Sequence, residues 1–78
     1  MSNKKRFQIV LTGQYEYLFS LPNYAIAAAR YTPAQLAEKM VTGLLDGSAD
    51  KDGEGIKRTC KALGIKQTYT AIKLFLQS

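Results

Sequence analysis

The sequence has no histidine, no tryptophan and one cysteine in 78 residues. Without histidine there is no imidazole general base and no imidazole metal ligand. A single cysteine excludes an intrachain disulfide, a cysteine-rich zinc site and a dithiol redox pair. No long apolar run is present either. Met1–Gln8 carries Lys4, Lys5 and Arg6, but Gly13, Gln14 and Glu16 soon interrupt the apolar residues that follow. A secretory signal needs about 7–15 apolar residues and a membrane-spanning helix about 20, so neither is expected. One unpaired thiol suits a reducing cytoplasm. The basic tip, residues 1–6, is expected to be a disordered, solubilising end or an adhesive tail for nucleic acid.

What is present suffices for a single small α+β domain over 1–78. Apolar residues make up 46% of the chain and charged residues 22%, a balance too apolar for a disordered chain. Phe7, Ile9 and Leu11 alternate with Gln8, Val10 and Thr12. Tyr15, Tyr17, Phe19 and Leu21 alternate with Glu16, Leu18 and Ser20. Period two in aromatic and β-branched residues predicts two strands. Thr12-Gly13-Gln14 reads as the hairpin loop between them, with Gly13 free to take positive φ. Tyr24–Tyr31 (YAIAAARY) fits two structures. Its alanines favour helix, whereas its place between a strand and a strong helix start favours a third strand, the reading adopted.

Thr32-Pro33-Ala34-Gln35 is the clearest local signal. Threonine caps, proline suits the first helical position, and Gln35 completes a capping box. Leu36, Met40 and Leu44, flanked by Ala37, Val41 and Leu45, form an apolar stripe at helical spacing. Gly47 fits the left-handed stop. The first predicted helix therefore spans Pro33 to Asp46. Ile56, Cys60 and Leu63 predict a second helix closing at Gly64. Gln67 or Thr68 opens a third, with Tyr69, Ile72, Phe75 and Leu76 on one face. The expected architecture is an N-terminal antiparallel β-hairpin or three-stranded meander, followed by three α-helices that cover one face of the sheet.

Catalytic chemistry finds few candidates, and a non-enzymatic chain without a cofactor is expected. Ser2, Ser20, Ser48 and Ser78 have no histidine to activate them. The glycines match neither dinucleotide nor phosphate-loop spacing. Asp46, Asp50, Asp52 and Glu54 suggest calcium only superficially. In either register the twelfth position, where the bidentate glutamate belongs, is Lys57 or Lys61. The acids therefore read as a solvated loop before a helix N-terminus, and no metal is expected.

Charge is the stronger signal. Residues 57–78 hold Lys57, Arg58, Lys61, Lys66 and Lys73 and no acid, whereas residues 46–54 hold four acids and one lysine. Lys57 and Lys61, four apart, share a helix face. Such a face attracts nucleic acid or an acidic protein surface. Within the same segment Cys60 stands as the small residue of a first helix, Leu63-Gly64-Ile65 as a tight turn, and Thr68-Tyr69 as the start of a second helix. That order is similar to a helix-turn-helix. Gln67, Thr68 and Thr70 would then face base edges or phosphates. The positions six and ten beyond Gly64, usually apolar in that motif, are Thr70 and Leu74. The candidate partner-binding or nucleic-acid-binding residues are Lys57, Arg58, Lys61, Lys66, Gln67, Thr70 and Lys73.

Thr59-Cys60-Lys61-Ala62-Leu63-Gly64-Ile65, with Thr68-Tyr69 and Ala71-Ile72, resembles the C-terminal end of small phage and prophage proteins. The chain as a whole is similar in type to anti-defence inhibitors such as anti-CRISPR proteins. The resemblance covers about 20 residues at the C-terminal end and contains no catalytic motif, so no site residue is carried over. It implies an inhibitor in the host-cell cytoplasm that occludes a host protein or ribonucleoprotein complex. A helix-turn-helix-like regulator, binding DNA or RNA directly, is the alternative. No membrane partner is expected. Pairing of hairpin edges would make a homodimer.

Overall fold

The computed structural model describes residues 2–49 and 53–78, and the described chain is helical throughout. Helix α1 spans Asn3–Leu18, α2 Ala25–Arg30, α3 Pro33–Asp46, α4 Glu54–Leu63 and α5 Tyr69–Gln77, with one 3-10 turn at Pro22–Tyr24 before α2. The expected α+β fold is thereby corrected: no strand occurs among the described residues.

The reason lies in two periods that share the same residues. Phe7 and Leu11 belong to the alternating set, and they also begin a stripe of Phe7, Leu11, Tyr15 and Leu18, spaced four, four and three. That stripe is what α1 buries. Ile9 and Tyr17, inward-facing members of the supposed strands, fall on the outer face and are 50% and 54% exposed. Gly13 is an interior helical residue with no positive φ rather than a loop. Ser2 and residues 3–6, expected as a disordered tip, form the cap and first turn of α1. The Ser2 hydroxyl accepts from the Lys5 N–H at 3.2 Å, and Lys4, Lys5 and Arg6 remain exposed. Tyr24–Tyr31 is likewise no strand: Tyr24 closes the 3-10 turn, and Ala25–Arg30 follow their helix propensity. None of the α2 residues is buried.

From Thr32 onward, helix starts and stops fall where the sequence places them. In the capping box of α3 the Gln35 N–H donates to the Thr32 hydroxyl at 3.1 Å, and the Thr32 N–H donates to Gln35 Oε1 at 3.0 Å. Gly47 ends α3 at φ 84°. The buried line of α3 is Ala37, Val41 and Leu44, so Leu36 and Met40 sit at its margin rather than its centre. Gly64, at φ 71°, closes α4. Its N–H donates to the Lys61 carbonyl and the Ile65 N–H to the Cys60 carbonyl, the paired bonds of a Schellman stop. Thr68 caps α5 by accepting from the Ala71 N–H at 3.2 Å.

Packing is organised around α1. It lies against α3, α4 and α5, and α5 also touches α3, whereas the main contact of α2 is with its own 3-10 turn. Phe7, Leu11, Leu18, Leu44, Ile56 and Ile72 are fully enclosed. The Tyr69 hydroxyl donates to the Leu44 carbonyl at 3.0 Å and ties α5 to α3. At the chain ends, Asn3 Nδ2 donates to Ser78 Oγ at 2.8 Å. The acidic-loop residues Asp50 and Asp52, with Lys51 and the initiating Met1, lie outside the described residues, so the reading of that loop as solvated rather than calcium-binding is not addressed.

Gly13 separates the two folds experimentally. A Cβ at Gly13 meets no atom within 4 Å, so Gly13→Ala should stabilise the helical protein by about 0.5–1 kcal/mol. At this chain length that raises Tm by several degrees, about 4–8 °C per kcal/mol. A left-handed hairpin glycine would give the opposite sign, and a lowered Tm would overturn the assignment of α1.

Candidate nucleic-acid interface

Three of the seven candidate residues converge. The inner face of α4 carries Gly55, Ile56, Thr59 and Cys60, all buried. The 3.6-residue period then turns Glu54, Lys57, Arg58, Lys61 and Ala62 to solvent. With Gln14 of α1 these residues wall a shallow surface groove of about 520 Å³. Of the other candidates, Lys66 and Gln67 are exposed in the turn after α4, and Thr70 is exposed on α5. None of the three lines the groove. Lys73 is half-buried, with its ammonium 5.7 Å from the centre of the Tyr69 ring, on the side of α5 that meets α3.

Asp46, at the end of α3, shows the pull of that other side. Hydrogen bonds from the Ser48 side chain and from its backbone N–H, the latter at 2.9 Å, hold the Asp46 carboxyl below its usual range, and Lys73 adds a smaller push. A carboxyl lowered in the folded state stabilises at neutral pH. That contribution is lost as pH falls through the lowered value.

One groove residue, Gln14, and one neighbour of the groove, Tyr17, went unrecognised in the sequence. Gln14 and Tyr17 are three apart on α1 and become neighbours only once that segment is helical. Arg58 lies over the Tyr17 ring, with 5.0 Å from guanidinium carbon to ring centre, and Arg58 Nε meets Glu54 Oε1 at 3.5 Å. Each contact is modest at an exposed site, about 0.5–1 kcal/mol for the cation–π pair and about 0.3–0.5 kcal/mol for the ion pair. Together they fix the direction of the guanidinium. Lys57 and Lys61 make no ion pair among the described residues. The groove therefore presents three cations, one carboxylate and one amide, with the half-exposed Tyr17 ring beside it under Arg58.

Gly55 positions this wall. A Cβ there would lie 2.9 Å from Tyr15 Cζ, so a bare backbone lets α4 close onto the Tyr15 ring one turn below Arg58. Burial of Tyr15, with a smaller contribution from Tyr24, raises its phenol pKa, and the ring acts as packing. Cys60 is also buried and its pKa is raised by desolvation, which keeps the thiol protonated and poorly nucleophilic. Among the described residues no group of three or more Cys, Asp or Glu side chains is placed to hold a metal ion, and no helix is long and apolar enough to cross a membrane. The hairpin edge expected to pair with a second copy has no counterpart among the described residues.

Gly55→Ala should cost about 1–3 kcal/mol, as overpacking does, and should lift Arg58 off Tyr17. Thermal unfolding reads the first effect. Loss of the ring-current shift on the Arg58 side-chain protons reads the second; an unchanged shift would show that Gly55 does not set the distance. Comparison with protein-family models, with curated proteins and with solved structures gives no match for this chain.

Proposed function

We propose that the chain is a non-enzymatic binding protein that docks through the outward face of α4 on the anionic surface of a nucleic-acid-handling complex and occludes it. A CRISPR-type ribonucleoprotein of the host is the complex implied by the chain's likeness in type to anti-defence inhibitors, a likeness that keeps its Pro-capped helix and charged helical end but loses its hairpin. The observation that carries the reading is the grouping of Lys57, Arg58 and Lys61 on one exposed face whose only described carboxylate, Glu54, is shared with Arg58 alone. Exposed cations at that density raise the association rate with a polyanion and make it sensitive to salt.

A second reading, duplex recognition by α4, the turn and α5, draws support from the left-handed Gly64 stop and the Thr68 cap. Two features weigh against it. Both helices lean mainly on α1 rather than on each other. The outward face of α5 centres on Thr70 and Leu74, the latter 64% exposed, and a leucine supplies no hydrogen bond to a base edge.

A binding assay with a purified CRISPR-type effector complex tests the docking reading. Lys57→Glu/Arg58→Glu/Lys61→Glu should abolish capture while leaving helicity by circular dichroism unchanged, since all three side chains are exposed. Capture undiminished by the triple reversal would remove α4 as the contact. In a mobility-shift series on duplex DNA, binding that is tight and sequence-specific would instead favour the second reading.

A further inference from the structure

We infer that the groove between α1 and α4 is built for a single-stranded nucleic acid, with the backbone along Lys57 and Lys61 and one base stacked at Tyr17 and Arg58. This deepens the docking reading and rests on it: the anion met on the host complex is an unpaired strand rather than an acidic protein surface or a duplex. Three observations agree. Lys57 and Lys61 lie one helical turn apart without described partners, so both are available to successive phosphates. Tyr17 does not itself line the groove but lies beside it under Arg58, 54% exposed, in a helix whose apolar stripe does not need it. Arg58 already lies over that ring in a cation–π contact at 5.0 Å, leaving a guanidinium and an aromatic edge to meet a base. Tracking the backbone with cations while offering an aromatic platform is the general solution to binding unpaired strands, because every base has a π face whatever its sequence.

A duplex uses this arrangement poorly, since its bases are already stacked on one another and Tyr17 would face only sugar and phosphate. An acidic protein surface would use the lysines but would gain little from a guanidinium already held over an aromatic ring. Gln14, in the groove wall, adds one donor and one acceptor for a sugar hydroxyl or a base edge. Glu54 opposes the ligand and draws on Arg58 at 3.5 Å, so its neutralisation should favour binding.

Fluorescence anisotropy with labelled oligo-U and oligo-dT of about 12 nucleotides, within the usual footprint of such sites, and with a duplex of the same length, tests this on the intact chain. Expected are preference for the single strands and an affinity falling with salt at a log–log slope of about −1.4, as two neutralised phosphates on a single strand imply. Tyr17→Ala should weaken binding at least about fivefold, the low end of a single base–aromatic stack. Tyr17→Phe should retain it and Glu54→Gln should strengthen it. Arg58→Lys, which keeps the charge but not the plane, should lose part of it. Circular dichroism confirms that each variant is folded. Equal or tighter binding to the duplex overturns the inference, as does indifference to Tyr17→Ala. If the triple reversal abolishes capture by the effector complex while neither oligonucleotide binds, the docking reading stands with a protein contact and the single-strand inference falls. If the oligonucleotides bind through Tyr17 but the complex is not captured, the groove assignment holds and the choice of complex is wrong.

Discussion

The burial of one stripe on α1 holds the molecule together. Phe7, Leu11, Tyr15 and Leu18 form a single line of apolar surface, and α3, α4 and α5 all cover parts of it. A chain of this length buries only about 60% of its unfolded surface, so a central helix contacted by three others is an economical way to enclose large side chains. The aromatic contacts extend that line at both ends. Phe7 meets Phe75 at a centroid distance of 6.3 Å, and Tyr15, Phe19 and Tyr24 run in sequence at 6.0 and 6.2 Å. The interhelical bonds at Tyr69 and at Asn3–Ser78 then fix orientation at the margins, where a polar group still reaches a partner.

The same stripe determines where the charges go. Tyr15 points inward and receives Gly55, while Tyr17, two residues on and 200° around the helix, points outward and receives Arg58. Core and groove are thus opposite sides of one contact between α1 and α4. Because the inner face of α4 is consumed by Ile56, Thr59 and Cys60, its cations have only the outer face to occupy. A basic segment in the sequence thereby becomes a basic surface without any residue dedicated to arranging it.

The second half of the fold was legible because its signals are local. Thr32 with Gln35, Gly47, Gly64 and Thr68 each act through backbone bonds within a few residues, so their reading survives whatever the rest of the chain does. The first half was not, because its pattern supports two periods at once. Residues 7, 9 and 11 satisfy alternation, residues 7, 11, 15 and 18 satisfy the helix, and Gly13 reads as a loop under one and as a weak helical position under the other. Only the apolar faces of α3, α4 and α5, which need a long common surface, decide between them. The same ambiguity hides the groove: Lys57, Arg58 and Lys61 are legible from charge and spacing on their own helix, but Gln14 reaches the groove, and Tyr17 reaches Arg58, only when α1 is helical.

Helix α2 stands apart from this scheme, and its isolation has a kinetic meaning. Six residues without a buried side chain lie far below the length at which a helix holds itself in water. With Ile26 77% exposed and its main packing on the adjacent turn, the segment Ala25–Arg30 gains little from burial. So little burial places it at the low-stability end of the structure, where amide exchange is expected to outpace that of the core. Opening there releases the span between α1 and α3 into an extended tether, so the distance the chain can bridge between those two helices is set by a segment that melts first.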